Sequence, residues 1–156
     1  MQWLRKAQDD DPAEFWRHTA EKRGGEIRFF TFATLVGRSG GFYFNSPGLL
    51  YLVGDCFWFE DFERENWLSK IFAGRTKWEK TELSFSKSEV QFTRVVSRGG
   101  ASRCIAGSTV PEKVAPASIF TILFSSPVIQ VSLNDGSALF FEIMQRKEFL
   151  AQLAPG

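Results

Sequence analysis

The sequence has a single histidine and only two cysteines, which removes several classes of functional site. His18 has no spaced carboxylate or thiol partner, and Cys56 and Cys104 lie far apart with no CxxC pair. A zinc site needs a cluster of such ligands, and no P-loop or dinucleotide-binding fingerprint is present. We therefore predict no metal and no cofactor. Distant, unpaired thiols are typical of a reducing compartment, so we expect a cytoplasmic protein.

The sequence also lacks an excess of charge and any long apolar run. Its 19 basic and 18 acidic residues leave a net charge of +1, so no global field recruits nucleic acid, and we predict no nucleic-acid partner. No segment approaches the length of a membrane span. The start of the chain has no apolar run long enough for a signal peptide, and Gln2 excludes N-myristoylation.

Aromatic residues, by contrast, are abundant. With 17 Phe and 5 Trp in 156 residues, the chain can fill the core of one domain and is too short for two ordinary ones. An aromatic core favours a sheet over a helix bundle. We therefore expect a single domain built around a β-sheet.

The first third of the chain predicts one helix followed by a strand. Asp11 and Pro12 are residues that begin a helix, and Gly24-Gly25 ends it. Its apolar face carries Phe15, Trp16, Thr19 and Ala20 and is expected to pack on the sheet. A strand is predicted from Ile27 to Val36 and is stopped by the glycine-rich loop Gly37–Gly41.

Two hairpins are predicted in the middle of the chain. Pro47-Gly48 opens a strand that turns at Gly54-Asp55 into a partner strand, in which Phe57 and Phe59 share one face and Trp58 the other. Residues 81–85 and 89–96 are predicted to pair with each other as a further hairpin. Arg98–Arg103 reads as a loop, and Ile119–Phe124 stands before the final hairpin in the same meander of strands.

The last thirty residues predict a hairpin and one closing helix. Residues 127–133 and 137–143 alternate around the turn Asn134-Asp135-Gly136, and an amphipathic segment follows from Gln145 to Leu153. A helix packed across the open end of a bent sheet would bury the apolar face of the last strand.

The order of these segments resembles GRAM and bacterial pleckstrin-homology-like (PH-like) domains. The similarity is carried by Pro47–Leu52, Phe57–Phe59, Pro116–Ile119 before Ile122, Ile129–Gly136, Phe140 and Lys147–Phe149. It covers roughly residues 47–153 as a PH-like core, with residues 1–46 as an N-terminal helix and strand extension of the same domain, 1–156. The resemblance implies an α+β fold: a bent antiparallel barrel of about seven strands, a C-terminal capping helix and an added N-terminal helix.

The resemblance also implies a binding role without enzymatic activity, directed at lipid head groups or partner peptides. PH domains that bind phosphoinositides use basic residues in the first strand–strand loop. If Leu49 begins the first strand, that loop is Gly54-Asp55, and if Ile27 begins it, the loop contains Arg38 as its single cation. The pattern for tight phosphoinositide recognition is therefore missing.

Two short matches to catalytic motifs are rejected on context. Gly37-Arg38-Ser39-Gly40-Gly41 fits G-x-S-x-G, but a strand-like segment follows where a hydrolase has a helix, and His18 comes before the serine. Ser84–Lys87 fits S-x-x-K, but the run is strand-like and not helical. We therefore predict no catalytic residue and no enzymatic activity, although a site assembled from distant residues stays a third alternative.

One segment, Asn66–Lys80, is assigned to neither core nor turn. Asn66 can cap a short helix that Gly74 ends, with apolar residues on one face and cations beside it. The candidate binding surface consists of Trp67, Lys70, Ile71, Phe72, Arg75, Lys77, Trp78 and Lys80. Such a segment suits an anionic membrane interface, or alternatively forms a lid helix packed on the barrel.

The leading functional prediction is a non-catalytic binding module that recognises an unknown protein or peptide. A surplus of aromatic residues without a head-group pocket favours this interpretation. The alternative is peripheral binding to anionic membrane lipids through Asn66–Lys80.

Overall fold

A computed structural model of the chain describes residues 12–61 and 82–154. Seven strands form one sheet: β1 (Ile27–Arg38), β2 (Phe42–Val53), β3 (Cys56–Asp61), β4 (Glu82–Ser86), β5 (Val90–Val96), β6 (Val128–Leu133) and β7 (Ala138–Ile143). The helices in these ranges are α1 (Pro12–Arg23), α2 (Arg98–Ile105), α3 (Ile119–Phe124) and α4 (Arg146–Leu153). Two single 3₁₀ turns cover Lys87–Glu89 and Pro111–Lys113.

The sheet is antiparallel throughout, in the order β4-β3-β2-β1-β7-β6-β5. The twelve-residue strand β1 lies at its centre, where it pairs with β2 along its length and with β7 from Ala33 to Arg38. The sheet curls into a half-barrel, and α4 packs on its inner face. This confirms the predicted fold class, an α+β PH-like barrel with a C-terminal capping helix and an added N-terminal helix.

The inner face of the sheet carries the main core. Because side chains alternate across a strand, every second residue of each strand points inward. Phe57 and Phe59 share this face, as predicted, and both are fully buried. The Phe149 ring of α4 lies 5.2 Å from that of Phe57. The other fully buried members include Leu35, Leu50, Leu52, Phe85, Ile129 and Phe141.

The outer face is covered at one end by α1, where the sequence predicted a helix packed on the sheet. Trp16 lies 4.5 Å from Phe30 and 5.9 Å from Tyr51 between ring centroids, and Thr19 is buried. Trp58 packs in the same outer cluster, on the face opposite Phe57, as predicted.

The other end of the outer face is covered by α2, and here the prediction of a loop at Arg98–Arg103 is wrong. Ser97 caps the helix by accepting a hydrogen bond from the Gly100 N–H at 3.0 Å. The pair Gly99-Gly100, which suggested a loop, lies in the first turn of α2, where a Cβ on Gly100 would meet the capping Ser97 hydroxyl at 3.2 Å. Ala101, Cys104 and Ile105 are buried.

The predicted hairpin between residues 81–85 and 89–96 is also wrong. The strand β4 pairs with β3, and β5 pairs with β6, so the two strands lie at opposite edges of the sheet. The 3₁₀ turn between them is tied back by the Lys87 N–H, which donates to the Asp55 carbonyl at 2.8 Å. Alternation identified both strands correctly, but it carries no information about which strand is the neighbour.

Strand limits differ from prediction around the first loop. The strand β1 continues through Gly37 to Arg38, and β2 begins at Phe42, not at Pro47. Pro47 lies inside β2 opposite Thr34 of β1, and the described pairing with β3 begins at Gly48. The turn at Gly54-Asp55 is confirmed.

Candidate binding surface

The surface predicted at Asn66–Lys80 lies outside the described residues, which exclude 62–81. Its assignment to a membrane interface or to a lid stays a prediction. A different surface, which the sequence did not indicate, is present in the described part of the chain.

This surface is centred on α3, which is a helix and not a strand of the meander. Four of its residues are largely exposed: Ile119 at 67%, Phe120 at 71%, Leu123 at 66% and Phe124 at 80%. Their spacing places them on one side of the helix. The rings of Phe120 and Phe124 are stacked, with centroids 6.4 Å apart. The helix therefore turns its apolar side to solvent.

Hydrogen bonds close both ends of α3, and another joins the chain just before it to the sheet. Ser118 caps the helix by accepting from the Thr121 N–H at 3.3 Å, and the Ser125 hydroxyl donates to the Thr121 carbonyl at 2.8 Å. Just before the helix, the Ala117 N–H donates to the Val95 carbonyl of the edge strand β5 at 2.7 Å. Thr121 is the least exposed residue of α3. The polar side chain of the helix thus faces the domain.

No charged residue occurs between Lys113 and Asp135, in a chain whose charged fraction is 24%. Residues 118–126, apart from Thr121, are exposed. Solvent-facing segments of ordinary proteins are rich in charge, whereas the centres of protein interfaces are depleted in it. A helix that lies on an anionic membrane normally carries Lys or Arg on its polar face. The composition of this segment therefore favours contact with protein.

A groove of about 450 Å³ lies beside α3 on the outer face of the sheet. It is lined by Phe32, Ala33 and Thr34 of β1, Pro47 and Gly48 of β2, Ile122, Ser125, Ser126 and Pro127, and Glu142, Ile143, Met144 and Arg146. Phe32 is the next outward residue after Phe30, which Trp16 covers. The groove therefore begins where the cover provided by α1 ends.

The charges at this groove are only partly balanced. Arg98 forms an ion pair with Glu142 and also donates to the Asn45 side chain at 3.2 Å. Arg146 has no ion pair within residues 12–61 and 82–154. The groove thus combines apolar walls, including the 75% exposed Met144, with one uncompensated positive charge. Such a site suits a segment that presents an apolar side chain next to a carboxylate.

A separate polar cluster fastens α1 to the sheet. Arg23 donates to the Tyr51 hydroxyl at 2.9 Å and pairs with Glu82 at 2.7 Å and Glu60 at 3.3 Å. Its guanidinium lies 3.7 Å above the Trp58 ring. Burial raises the pKa of Tyr51 to about 12. The hydrogen bond from Arg23 acts in the opposite direction, and the charge of Glu60 adds to the increase. These groups are engaged with one another and hold the helix.

The residues of the two rejected catalytic motifs have structural partners. The Ser39 hydroxyl accepts a hydrogen bond from the Ala138 N–H at 2.9 Å, and the Ser39 N–H donates to the Ala138 carbonyl. The glycine loop is therefore fastened to β7. Ser84 lies in a strand and Lys87 in the following 3₁₀ turn. No group of three His, Cys, Asp or Glu side chains suited to a metal occurs among the described residues.

The two cysteines are unpaired. Cys104 is buried in α2 and Cys56 is half-buried at the start of β3. Burial raises the pKa of both thiols, so both favour the protonated form.

Comparisons with known proteins add information on the fold alone. No protein-family model matches the chain, and no significant match is found among curated proteins. A solved structure, the C-terminal domain of an unknown protein from Leishmania infantum, is similar with a TM-score of 0.50 and 12% identity. The match covers 90% of this chain and 92% of that one. No helix of the described residues is long and apolar enough to cross a membrane.

Proposed function

We propose that this chain is a non-catalytic binding module that docks a protein or peptide in the groove between Phe32, Ile122 and Met144. The observation that carries the proposal is an exposed, partly apolar groove beside a helix without charge. Kinship with PH-like and GRAM-like domains belongs to the same proposal and is supported by the strand order and by α4. A cytoplasmic location is also proposed, on the basis of the two unpaired thiols.

The shape of the groove favours a side chain of a larger partner over a small ligand. Small-molecule sites enclose most of their ligand. Here Met144 and Ile122 keep much of their surface in water, so a small molecule would stay largely solvated. A peptide or protein segment can bury these side chains while its backbone remains outside. Arg146 then pairs with an acidic residue that flanks the apolar anchor.

The proposal can be tested with a cross-linker inside the groove. The chain has only two methionines, Met1 and Met144, so photoreactive methionine places a probe at the groove and one at the N-terminus. Irradiation in the native cytoplasm is expected to attach a partner to the wild type and not to Met144→Leu, which keeps only the Met1 probe. The same proteins attached to both forms would contradict docking in the groove.

A partner found in this way is then purified and its affinity measured. We expect Arg146→Glu to weaken binding about tenfold, because an acidic contact becomes repulsive. The matched control is Lys147→Glu, which makes the same charge change on an adjacent exposed residue outside the groove and should leave affinity within about twofold. Equal weakening by both variants would indicate a general charge effect and would contradict the assigned role of Arg146.

A further inference from the structure

The outward side of α3 is a second surface, distinct from the groove. Ile122 lines the groove, whereas Ile119, Phe120, Leu123 and Phe124 lie on another side of the same helix and do not line it. Their side chains can therefore be covered while the groove stays open. An occupant of this side is independent of the partner proposed for the groove.

We propose that α3 packs against α3 of a second copy of this chain, forming a two-fold dimer. At their observed exposures, the four side chains present roughly 500 Å² of apolar surface. A stable interface buries about 800 Å² on each partner. The neighbouring exposed residues Ala115, Pro116 and Ser118 enlarge the patch, and none of them lines the groove. The patch thus approaches the roughly 600 Å² per partner at the lower end of stable interfaces.

The absence of charge selects a second copy as the occupant. In a two-fold contact, a residue near the axis meets its own counterpart, so any charge there repels itself. Residues 114–134 carry no charge, and self-contact therefore has no electrostatic cost. Binding of this segment to an anionic membrane would lack an electrostatic contribution, because no Lys or Arg is interleaved with the apolar residues. Insertion of the apolar side chains would be the single favourable term.

Sedimentation equilibrium measures the association directly. As the protein concentration rises from roughly 1 to 100 µM, the average molecular mass is expected to rise toward twice the 17.7 kDa of the chain. This concentration range suits an interface near the standard size. Phe124→Glu should stay monomeric throughout, since two carboxylates would meet at the axis. Its melting temperature at low concentration should match the wild type, because Phe124 is 80% exposed.

Phe42→Glu is the matched control, since it makes the same change at another exposed phenylalanine far along the chain. It is expected to dimerise like the wild type. An equimolar mixture of Phe124→Glu and Phe124→Lys should restore dimers, because opposite charges then meet. Dimers in this mixture place α3 against α3; a mixture that stays monomeric would contradict that placement.

A wild-type chain that remains monomeric over the whole concentration range overturns the proposal. Sedimentation with phosphatidylserine vesicles distinguishes the competing occupant: vesicle binding by a monomeric wild type, lost in Phe124→Glu, would assign this side of α3 to membranes instead. No partner protein is present in either experiment. The result is therefore independent of whether a protein docks in the groove.

Discussion

The helices α3 and α4 flank the final hairpin, and the more hydrophobic of the two is the one left in water. Five of the six residues of α3 are large and apolar, yet it covers little of the domain. Half of the eight residues of α4 are polar or charged, yet its Phe149 is fully buried in the main core. Burial is therefore set by position relative to the curved sheet and not by composition.

The curvature explains the difference. On the inner face of the half-barrel, α4 lies where Phe149 reaches Phe57 and joins the main core. Among the described residues, α1 and α2 cover the two ends of the outer face, and α3 lies beside the groove, joined to the sheet by the Ala117 N–H, which donates to the Val95 carbonyl. Apolar residues that the fold does not use are available for binding.

Removing α4 should have the largest effect. Truncation after Ile143 deletes Phe149, Leu150 and Leu153, whose burial contributes at least several kcal/mol, comparable with the whole stability of a domain. We expect an unfolded or insoluble chain. Truncation after Ala154 keeps α4 and should melt like the wild type. A cooperative thermal transition in the shorter form would refute the capping role of α4.

Single phenylalanine substitutions sharpen the contrast between the helices. Phe149→Ala opens a cavity in the core and should reduce the free energy of unfolding by about 3–5 kcal/mol. Phe120→Ala, on the exposed side of α3, should change it by less than about 0.5 kcal/mol. Urea unfolding at low protein concentration measures both. Similar losses in the two variants would mean that α3 packs as tightly as α4.

Loosening the attachment of α1 should lower the free energy of unfolding by an intermediate amount. Arg23→Met removes a guanidinium whose side chain is only 7% exposed and that compensates Glu60, so we expect a loss of about 2–3 kcal/mol, with Lys22 retaining part of the compensation. Arg17→Met removes an exposed ion pair with Glu14 and should cost less than about 0.5 kcal/mol. If the two arginines proved equivalent in urea unfolding, the cluster would not fasten α1.

The smallest predicted effect is alkaline destabilisation through Tyr51. Its pKa in the folded protein is about 12, against an ordinary value near 10, so the folded state holds the proton more tightly. The resulting stabilisation is complete below about pH 10 and is lost as the pH rises toward 12. Allowing for solvent screening near the charged cluster, the loss at pH 11 should be about 1 kcal/mol.

Tyr51→Phe is the control for this titration, because it lacks the ionisable hydroxyl. The difference in unfolding free energy between wild type and Tyr51→Phe should therefore shrink or reverse between pH 9 and pH 11. A difference that stays constant over this range would show that the folded and unfolded states release the Tyr51 proton alike.

Residue patterns along the chain predicted the faces of the strands, the final hairpin and the closing helix. Alternation placed Phe57 and Phe59 on one face of a strand, the turn residues 134–136 placed the final hairpin, and the amphipathic segment 145–153 placed α4. The strand partners were not predictable in this way. The sequences of β4 and β5 would suit a hairpin equally well, and only their pairing with β3 and β6 shows that they do not form one. The candidate site was missed because Ile, Phe and Thr favour strands. Its available signals were Ser118 and Ser125 as caps and the uncharged run.

The central claim is that the exposed side of α3 serves binding and not folding. The most direct test is the free energy of unfolding of the double variant Phe120→Ser, Phe124→Ser, measured in urea at a concentration where the wild type is monomeric. Because both rings are largely exposed, the value should lie within about 0.5 kcal/mol of the wild type. A loss of about 3 kcal/mol or more, as expected for core phenylalanines, would contradict the claim.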